Sequence, residues 1–471
     1  MNALSPQDAM FLVGESREQP MHVGGLLLFD RPEGAGPDFL SRLYRTLVDD
    51  VTVHPAFARR LRRGPADLGY WSWVPDDDID LEYHVRLSGL ARPGRIRELL
   101  ELTSRLHGTL LDRNRPLWEM YLIDGVQGGR FAIYTKVHHA MFDGVSALRW
   151  MRATLTGEPD RTGMPLTYAL PATPRPASGS PDGMSGGWPA LPRLAAGMGK
   201  AAVAAARVVS DAVGLSPVAV SSVFQARKDP AASAFTAPRS IFNVPITAAR
   251  RFAAESWPIE RFDAVRTAAG ATLNDVVLAV CAGALRRYLL ERDALPDKPL
   301  IALVPVSVRP RNDGSDSGDS GNALATLLCD LATDEPDPAA RLARIQASAK
   351  RGKNTLSGLS PLQNLMLGAL GLGAAGVGSM VPGLAGRVVP PYNLIISNVP
   401  GPVDNTLYWN GARLLGMYPV SVVFSGQAMN LTVTSYDHQL HFGLVGCRRK
   451  VPHLQHLLGH LEDSLAELEQ L

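Results

Sequence analysis

The chain is poor in cysteine and in charge. Its three cysteines, Cys281, Cys329 and Cys447, lie far apart without any C-x-x-C spacing. That excludes a disulfide framework and a thiolate zinc site as organising devices, and it suits a reducing, cytoplasmic compartment. Charged residues make up 20% of the 471 positions, and 47 cations against 45 anions leave a formal charge of +2. So even a balance supplies no general attraction for a nucleic-acid backbone, and no nucleic-acid partner is expected. The opening MNALSPQDAMFLVGES lacks the basic and apolar regions of a secretory leader. Ser5, Pro6 and Asp8 read instead as an N-cap, a first-turn proline and a capping partner that start a short helix.

A convincing membrane span is also missing. No charge occurs between Lys353 and Arg387, and LQNLMLGALGLGAAGVGSMV approaches the length of a span. Pro361 and Pro382 flank it, Gln363, Asn364 and Ser379 interrupt it, and five glycines lower its helix propensity. Residues 362–381 are expected to form a buried helix pair or an apolar wall with room for a lipid chain.

What is present is a foldable composition, 46% hydrophobic, too long for one core. A Pro/Ser/Gly-rich break near residue 157 suggests three parts: 1–158, a linker with crossover helices over 159–235, and 236–471. The first part reads as a strand (HVGGLLLFD), helices around FLSRLYRTLVDD and RIRELLELTSRLHGTLL, and two further strands. In the third, ATLNDVVLAVCAGALRRYL reads as a capped helix and LIALVPVSV and NLIISNVP as buried strands. MNLTVTSYD and LHFGLVG read as neighbouring strands, and HLQHLLGHLEDSLAELEQL as a closing amphipathic helix. Both halves are therefore mixed α/β (α+β), without a short-period repeat.

The most informative segment is FAIYTKVHHAMFDGVSALRW. At period two, Phe131, Ile133, Val137 and His139 share one strand face, and Tyr134, Lys136 and His138 share the other. The two histidines thus point in opposite directions. His139, on the more apolar side, can stay neutral and accept a proton near pH 7, while His138 reads as a supporting donor or acceptor. A metal site is disfavoured, because adjacent strand residues cannot both ligate one ion and no further ligands have suitable spacing. A Gly318-Asp319-Ser320-Gly321 run spells a protease-like GDSG but sits in an acidic low-complexity stretch.

HHAMFDG resembles the HHxxxDG motif of the acyl-CoA-dependent acyltransferase superfamily, which includes chloramphenicol acetyltransferase and peptide-synthetase condensation domains. The surrounding residues resemble the bacterial wax ester synthase/diacylglycerol acyltransferase family over nearly the whole chain. LSPQDAMFLVGESREQPMHVGGLLLF, RPLWEMYLIDG, TKVHHAMFDGVSALR, TLNDVVLAVCAGALR, VPVSVR, NLIISNVPGP, LYWNGARLLGMYPVS and LTVTSYD are similar to its blocks in order.

The resemblance implies two chloramphenicol-acetyltransferase-like domains in one chain with a tunnel between them. It implies His139 as general base for attack of an alcohol on a long-chain acyl-CoA thioester, without a covalent acyl-enzyme and without a cofactor, acyl-CoA being a substrate. A fatty alcohol or diacylglycerol would be the acceptor, giving wax ester or triacylglycerol, at a membrane or lipid-droplet surface on the cytoplasmic side. Asp143 would hold the loop and Gly144 ease its turn. Asn274, beside the capping pair Thr272 and Asp275, would polarise a carbonyl or orient the base, unless capping accounts for that segment. Trp118 of the PLW block would pack beside the tunnel. Arg309 and Arg311 would meet the CoA phosphates, with Arg250 and Arg251 as a rival pair. The alternatives are a carrier-protein-dependent, condensation-type acyltransferase and a catalytically silent lipid-droplet coat protein.

Overall fold

A computed structural model describes residues 2–4, 6–50, 52–63, 71–142, 144–171, 237–307, 324–357, 390, 392–403 and 405–471. The linker helices, the acidic GDSG stretch and the uncharged 362–381 segment lie outside the described residues. Every element below belongs to one compact unit, Met1–Leu170 with Ala234–Leu471.

The first half begins with β1 (Asn2–Ala3), α1 (Pro6–Gly14), β2 (His22–Asp30) and α2 (Phe39–Asp49). It continues through β3 (Arg59–Arg63), β4 (Trp71–Pro75), the short α3 (Leu81–His84), β5 (Val85–Gly89) and α4 (Ile96–His107). β6 (Trp118–Val126), β7 (Arg130–His138) and α5 (Gly144–Ala153) complete it. The second half holds β8 (Arg250–Pro258), α6 (Ile259–Ala268), α7 (Leu273–Leu290), β9 (Ile301–Ser307), β10 (Leu324–Asp330) and α8 (Pro338–Ser357). After these come β11 (Leu394–Val399), β12 (Tyr408–Trp409), β13 (Ala412–Val420), β14 (Met429–Tyr436), β15 (Gln439–Cys447) and α9 (His456–Leu468). Among the described residues, the strands and helices read from the hydrophobic pattern fall where expected.

Two six-stranded sheets form the frame, in the orders β12-β13-β2-β7-β6-β5 and β10-β9-β11-β14-β15-β8, with a small β1-β4-β3 sheet beside the first. β2 and β7 are central strands, and burial of both faces explains why HVGGLLLFD is an almost unbroken apolar run. One face, with Val23, Leu27, Phe131, Ile133 and Val137, packs against α2 and the small sheet. The opposite face, with Leu26, Leu28 and Tyr134, joins α4, β8 and most of the second half in the largest core. α7 lies deep in that core, and its start is the capping box read from the sequence: Thr272 Oγ1 accepts from the Asp275 N–H, and Asp275 answers at the Thr272 N–H.

The two halves share a strand. β13 comes from the second half by sequence yet pairs antiparallel with β2, Tyr418 opposite Leu26 and Val420 opposite Gly24. It then packs across β15, where a Cβ at Gly443 would lie 1.9 Å from the Pro419 carbonyl oxygen. Only a glycine lets the backbones come that close.

Among the described residues no single helix is long and apolar enough to cross a membrane. The α6–α7 pair is long and apolar enough only when joined across a 102° bend, and α7 is a core helix with thirteen buried residues.

Gly443→Ala should therefore destabilise the fold by about 3 kcal/mol or more through overpacking against backbone. At Gly459 of α9 a Cβ meets nothing within 4 Å, so Gly459→Ala should be neutral or stabilising by up to about 1 kcal/mol. Thermal midpoints of both variants check this; equal midpoints would contradict the packing argument.

Candidate active site

The site grows from the end of β7. The strand stops at His138, and His139 is the first residue of the turn that leads to α5 at Gly144. Its backbone N–H donates to the Met21 carbonyl at 2.8 Å. The half-buried ring stacks on Phe11 of α1, centroids 4.0 Å apart and planes 14° from parallel.

His138 is wholly buried. Its Nδ1 accepts from the Ala140 N–H at 3.0 Å, so a neutral ring carries its proton on Nε2. That nitrogen lies 3.3 Å from Glu15 Oε1, a close approach rather than an aligned hydrogen bond.

Glu15 is the residue that sequence reasoning missed. It follows directly on α1, four positions after Phe11, and its side chain is 3% exposed. Oε1 accepts from the Met21 N–H at 3.0 Å, and Oε2 accepts from Arg113 Nη2 at 2.9 Å and Nε at 3.1 Å. Burial pushes the carboxyl up, but His138, the Met21 N–H and Arg113 together bring it below the usual carboxylate range. The segment after it is tied to the second half. Gln19 Oε1 accepts from the Ser425 N–H at 2.6 Å, and the Glu18 carbonyl accepts from Arg250 Nη2 at 2.8 Å. The only sequence signal was the LVGES portion of the first block, which carries no chemical pattern of its own.

Polar groups continue down the His138 face. Lys136 Nζ pairs with Glu119 Oε2 at 2.9 Å and donates to the Leu106 and Thr109 carbonyls. Burial lowers its ammonium, and Glu119 opposes that shift. Tyr121 donates to Glu119 at 2.7 Å and accepts from Arg86 at 2.8 Å. His22, opposite His138 across the β2–β7 pair, places Nε2 2.7 Å from the His107 carbonyl. His107 in turn joins the Tyr134 hydroxyl, 2.9 Å from Nδ1, to the Ser421 carbonyl, 3.0 Å from Nε2. Burial pushes His107 down to about 3 and His22 well below its ordinary value, so both are neutral near pH 7.

The other face is apolar. A narrow crevice under α5 is lined by Gly25, Phe57, Val137, Phe142, Trp150 and Met151. At Gly25 a Cβ would come within 2.5 Å of Met151 Cε. Trp118 lies deeper, fully buried between His84 and Tyr168, with Nε1 donating to the Phe57 carbonyl at 3.0 Å. Those contacts are packing contacts.

Asn274 is the second residue of α7, half-buried between its capping partners. At Gly144 the backbone is not left-handed and a Cβ would meet nothing within 4 Å, so that position offers open space rather than a glycine-dependent turn. Asp143, Arg309 and Arg311 lie outside the described residues. Arg250 is buried and donates to the Thr247 and Glu18 carbonyls, while Arg251 approaches Glu101 at 3.8 Å. Arg250 is thus committed to the backbone and is no free phosphate ligand. Among the described residues no cluster of His, Cys, Asp or Glu could hold a metal ion.

The family model for the wax ester synthase/diacylglycerol acyltransferase catalytic domain matches residues 4–277, and that for the WS/DGAT C-terminal domain matches 320–469. A probable diacylglycerol O-acyltransferase of Mycobacterium tuberculosis is 49% identical over 100% of this chain and 99% of its own. A solved wax ester synthase/diacylglycerol acyltransferase from Marinobacter aquaeolei VT8 superposes with TM-score 0.79 at 41% identity, covering 100% and 99% of the two chains. The first condensation domain of the calcium-dependent antibiotic synthetase reaches TM-score 0.56 at 18% identity, covering 100% of this chain and 95% of its own, a likeness of fold. Matched across both family domains and along its full length, the chain belongs to the wax ester synthase/diacylglycerol acyltransferase family of acyltransferases.

Proposed function

We propose that this acyltransferase moves a long-chain acyl group from acyl-CoA to the hydroxyl of a fatty alcohol or a diacylglycerol, with His139 as general base. The observation that carries this reading is the unequal treatment of the two motif histidines. His138 is buried, with one nitrogen occupied by a backbone N–H and the other facing a carboxylate. His139 keeps a half-buried ring stacked on Phe11, and its backbone N–H is held by the Met21 carbonyl. A base must be fixed in direction and still reach its substrate, and a stacked, half-buried imidazole supports that reading for His139 better than the wholly buried His138.

In the reaction His139 takes the alcohol proton as the oxygen attacks the thioester carbonyl carbon. The new C–O bond forms, the C–S bond breaks, and the proton passes to the departing thiolate to give CoA. A positioned base contributes on the order of 10²–10⁴-fold to such a step. Asp143 would hold the turn, Asn274 would assist the carbonyl or the base, Gly144 and Trp118 would border the substrate path, and Arg309 and Arg311 would meet the CoA phosphates. A tunnel at the seam between the halves would keep water, a competing acceptor, from the thioester. Both substrate classes partition into lipid, so the enzyme would work at a membrane or lipid-inclusion surface on the cytoplasmic side.

Free-thiol release from palmitoyl-CoA, with hexadecanol and dipalmitoylglycerol offered together and the esters separated afterwards, tests the activity and ranks the acceptors. His139→Ala should lower release at least 10²-fold while keeping the wild-type thermal midpoint. Retention of most activity would overturn the assignment.

Glu15→Gln keeps shape and removes charge. It should lower kcat by roughly tenfold or more, given about 1.5–3 kcal/mol for hydrogen bonds to a charged group, with little change in KM for palmitoyl-CoA. Because the Glu15 carboxyl lies below its unfolded value, its stabilisation is complete above that value and disappears as pH falls through the folded one. The acid side of the wild-type stability profile should therefore be flatter in Glu15→Gln; an unchanged profile and unchanged kcat would remove Glu15 from the machinery.

A further inference from the structure

A third apolar cluster lies at the seam, separate from the two large cores. It consists of Met21, Leu303, Tyr392, Ile395, Val422 and Phe424, all buried, with Phe11 packed against it. Met21 and Phe11 are also the residues that hold His139, one by its carbonyl and the other by its ring face. The cluster is therefore continuous with the proposed base.

Among the described residues of this cluster, the Tyr392 side chain alone carries a hydroxyl or an N–H. Its hydroxyl is fully buried and has no hydrogen-bond partner among the described residues. Looseness of the chain does not explain this. The Tyr392 carbonyl accepts from Asn243 Nδ2 at 3.1 Å. The next residue, Asn393, accepts from the Ile301 N–H at 2.8 Å and donates to the Pro238 carbonyl and to Asn243 Oδ1, each at 2.7 Å. The ring is thus anchored at its base while its tip is left over. Burial raises the phenol well above its ordinary value, so near neutral pH it is a donor.

An orphaned hydroxyl in an apolar setting is destabilising, and phenylalanine would fill the same space without the defect. The group makes physical sense if its partner is brought by a ligand. Surroundings that are apolar except for one donor fit a hydrocarbon chain with one strong acceptor, and an acyl carbonyl is that acceptor.

We propose that the Tyr392 hydroxyl donates a hydrogen bond to the carbonyl oxygen of an acyl group lodged in this seam. The inference rests on the acyl-transfer reading above and adds to it a residue that touches substrate. Two sources share this chemistry: the thioester of acyl-CoA and an ester of diacylglycerol.

The test uses Tyr392→Phe in the full-length protein and direct binding to two matched pairs, each with and without the carbonyl. One pair is palmitoyl-CoA and S-hexadecyl-CoA; the other is dipalmitoylglycerol and its dihexadecyl ether in identical micelles. The wild type should favour the carbonyl-bearing member of at least one pair by roughly three- to tenfold, and Tyr392→Phe should lose that preference. Loss in the first pair assigns the thioester, and loss in the second assigns the ester. Without ligand, the thermal midpoint of Tyr392→Phe should equal or exceed that of the wild type, and Tyr392→Met repeats the comparison without a ring. Equal ratios in wild type and variants for both pairs would overturn the proposal, as would a lower unliganded midpoint for Tyr392→Phe, which would place the partner within the protein. Turnover separates the two readings: a wild type that binds with carbonyl preference yet releases no CoA refutes acyl transfer and leaves the Tyr392 contact standing.

Discussion

One buried carboxylate organises the surroundings of the motif. Glu15 meets Arg113, the Met21 N–H and His138 at once, and Met21 passes the constraint on through its carbonyl to the His139 N–H. A carboxylate this far from water is tolerated only when several donors compensate its lost hydration. That requirement fixes the end of α1, the chain before β2 and the end of β7 relative to one another. Phe11, one turn earlier on α1, is carried into place by the same anchor and presents its ring to His139. The position of the imidazole thus depends on a charge more than a hundred residues away in sequence.

The two faces of β7 divide the work. Toward Glu15 the strand carries Lys136 and His138, matched by Glu119 on β6 and His22 on β2. Groups of this kind add little net stability when complete, but deletion of one partner strands the other, at about 3–5 kcal/mol. They therefore resist a shift in register, since a slip of one residue would turn every one of them into the apolar side. On the other face Val137 and its neighbours offer only dispersion contacts and the crevice under α5. Rigidity below and soft apolar contact above would suit the base proposed for His139.

Much of this was legible in the sequence because it is local. HVGGLLLFD and LIALVPVSV announce buried strands by nearly continuous apolar runs, the MNLTVTSY–LHFGLVG pair announces neighbouring strands by alternation, and Thr272 with Asp275 announces the start of α7. HHAMFDG stands out because paired histidines, an aspartate and a glycine at fixed spacing are chemically unusual. What could not be read is what depends on distant partners. Nothing local shows that Ala412–Val420 leaves its own half to pair with β2. Glu15 looks like an ordinary charged residue at a helix end until Arg113 and His138 are placed around it. Arg250 illustrates the converse, a cation that looks available in sequence and proves to be buried against the Thr247 and Glu18 carbonyls.

The shared strand also limits how the proposed acyl substrate would reach the seam. Moving the halves apart as rigid bodies would unzip β13 from β2, break the His107–Ser421 and Gln19–Ser425 bonds and expose the core joining Leu26 and Tyr134 to α7. Each step exposes backbone groups or apolar surface whose burial holds the fold together. Side-chain movement is far cheaper. Met21 and Met151, unbranched and polarisable, stand beside His139 and in the crevice under α5, and such side chains change rotamer without disturbing a sheet. A frame that cannot part, furnished with side chains that can, would admit the proposed acyl chain while the imidazole keeps its direction.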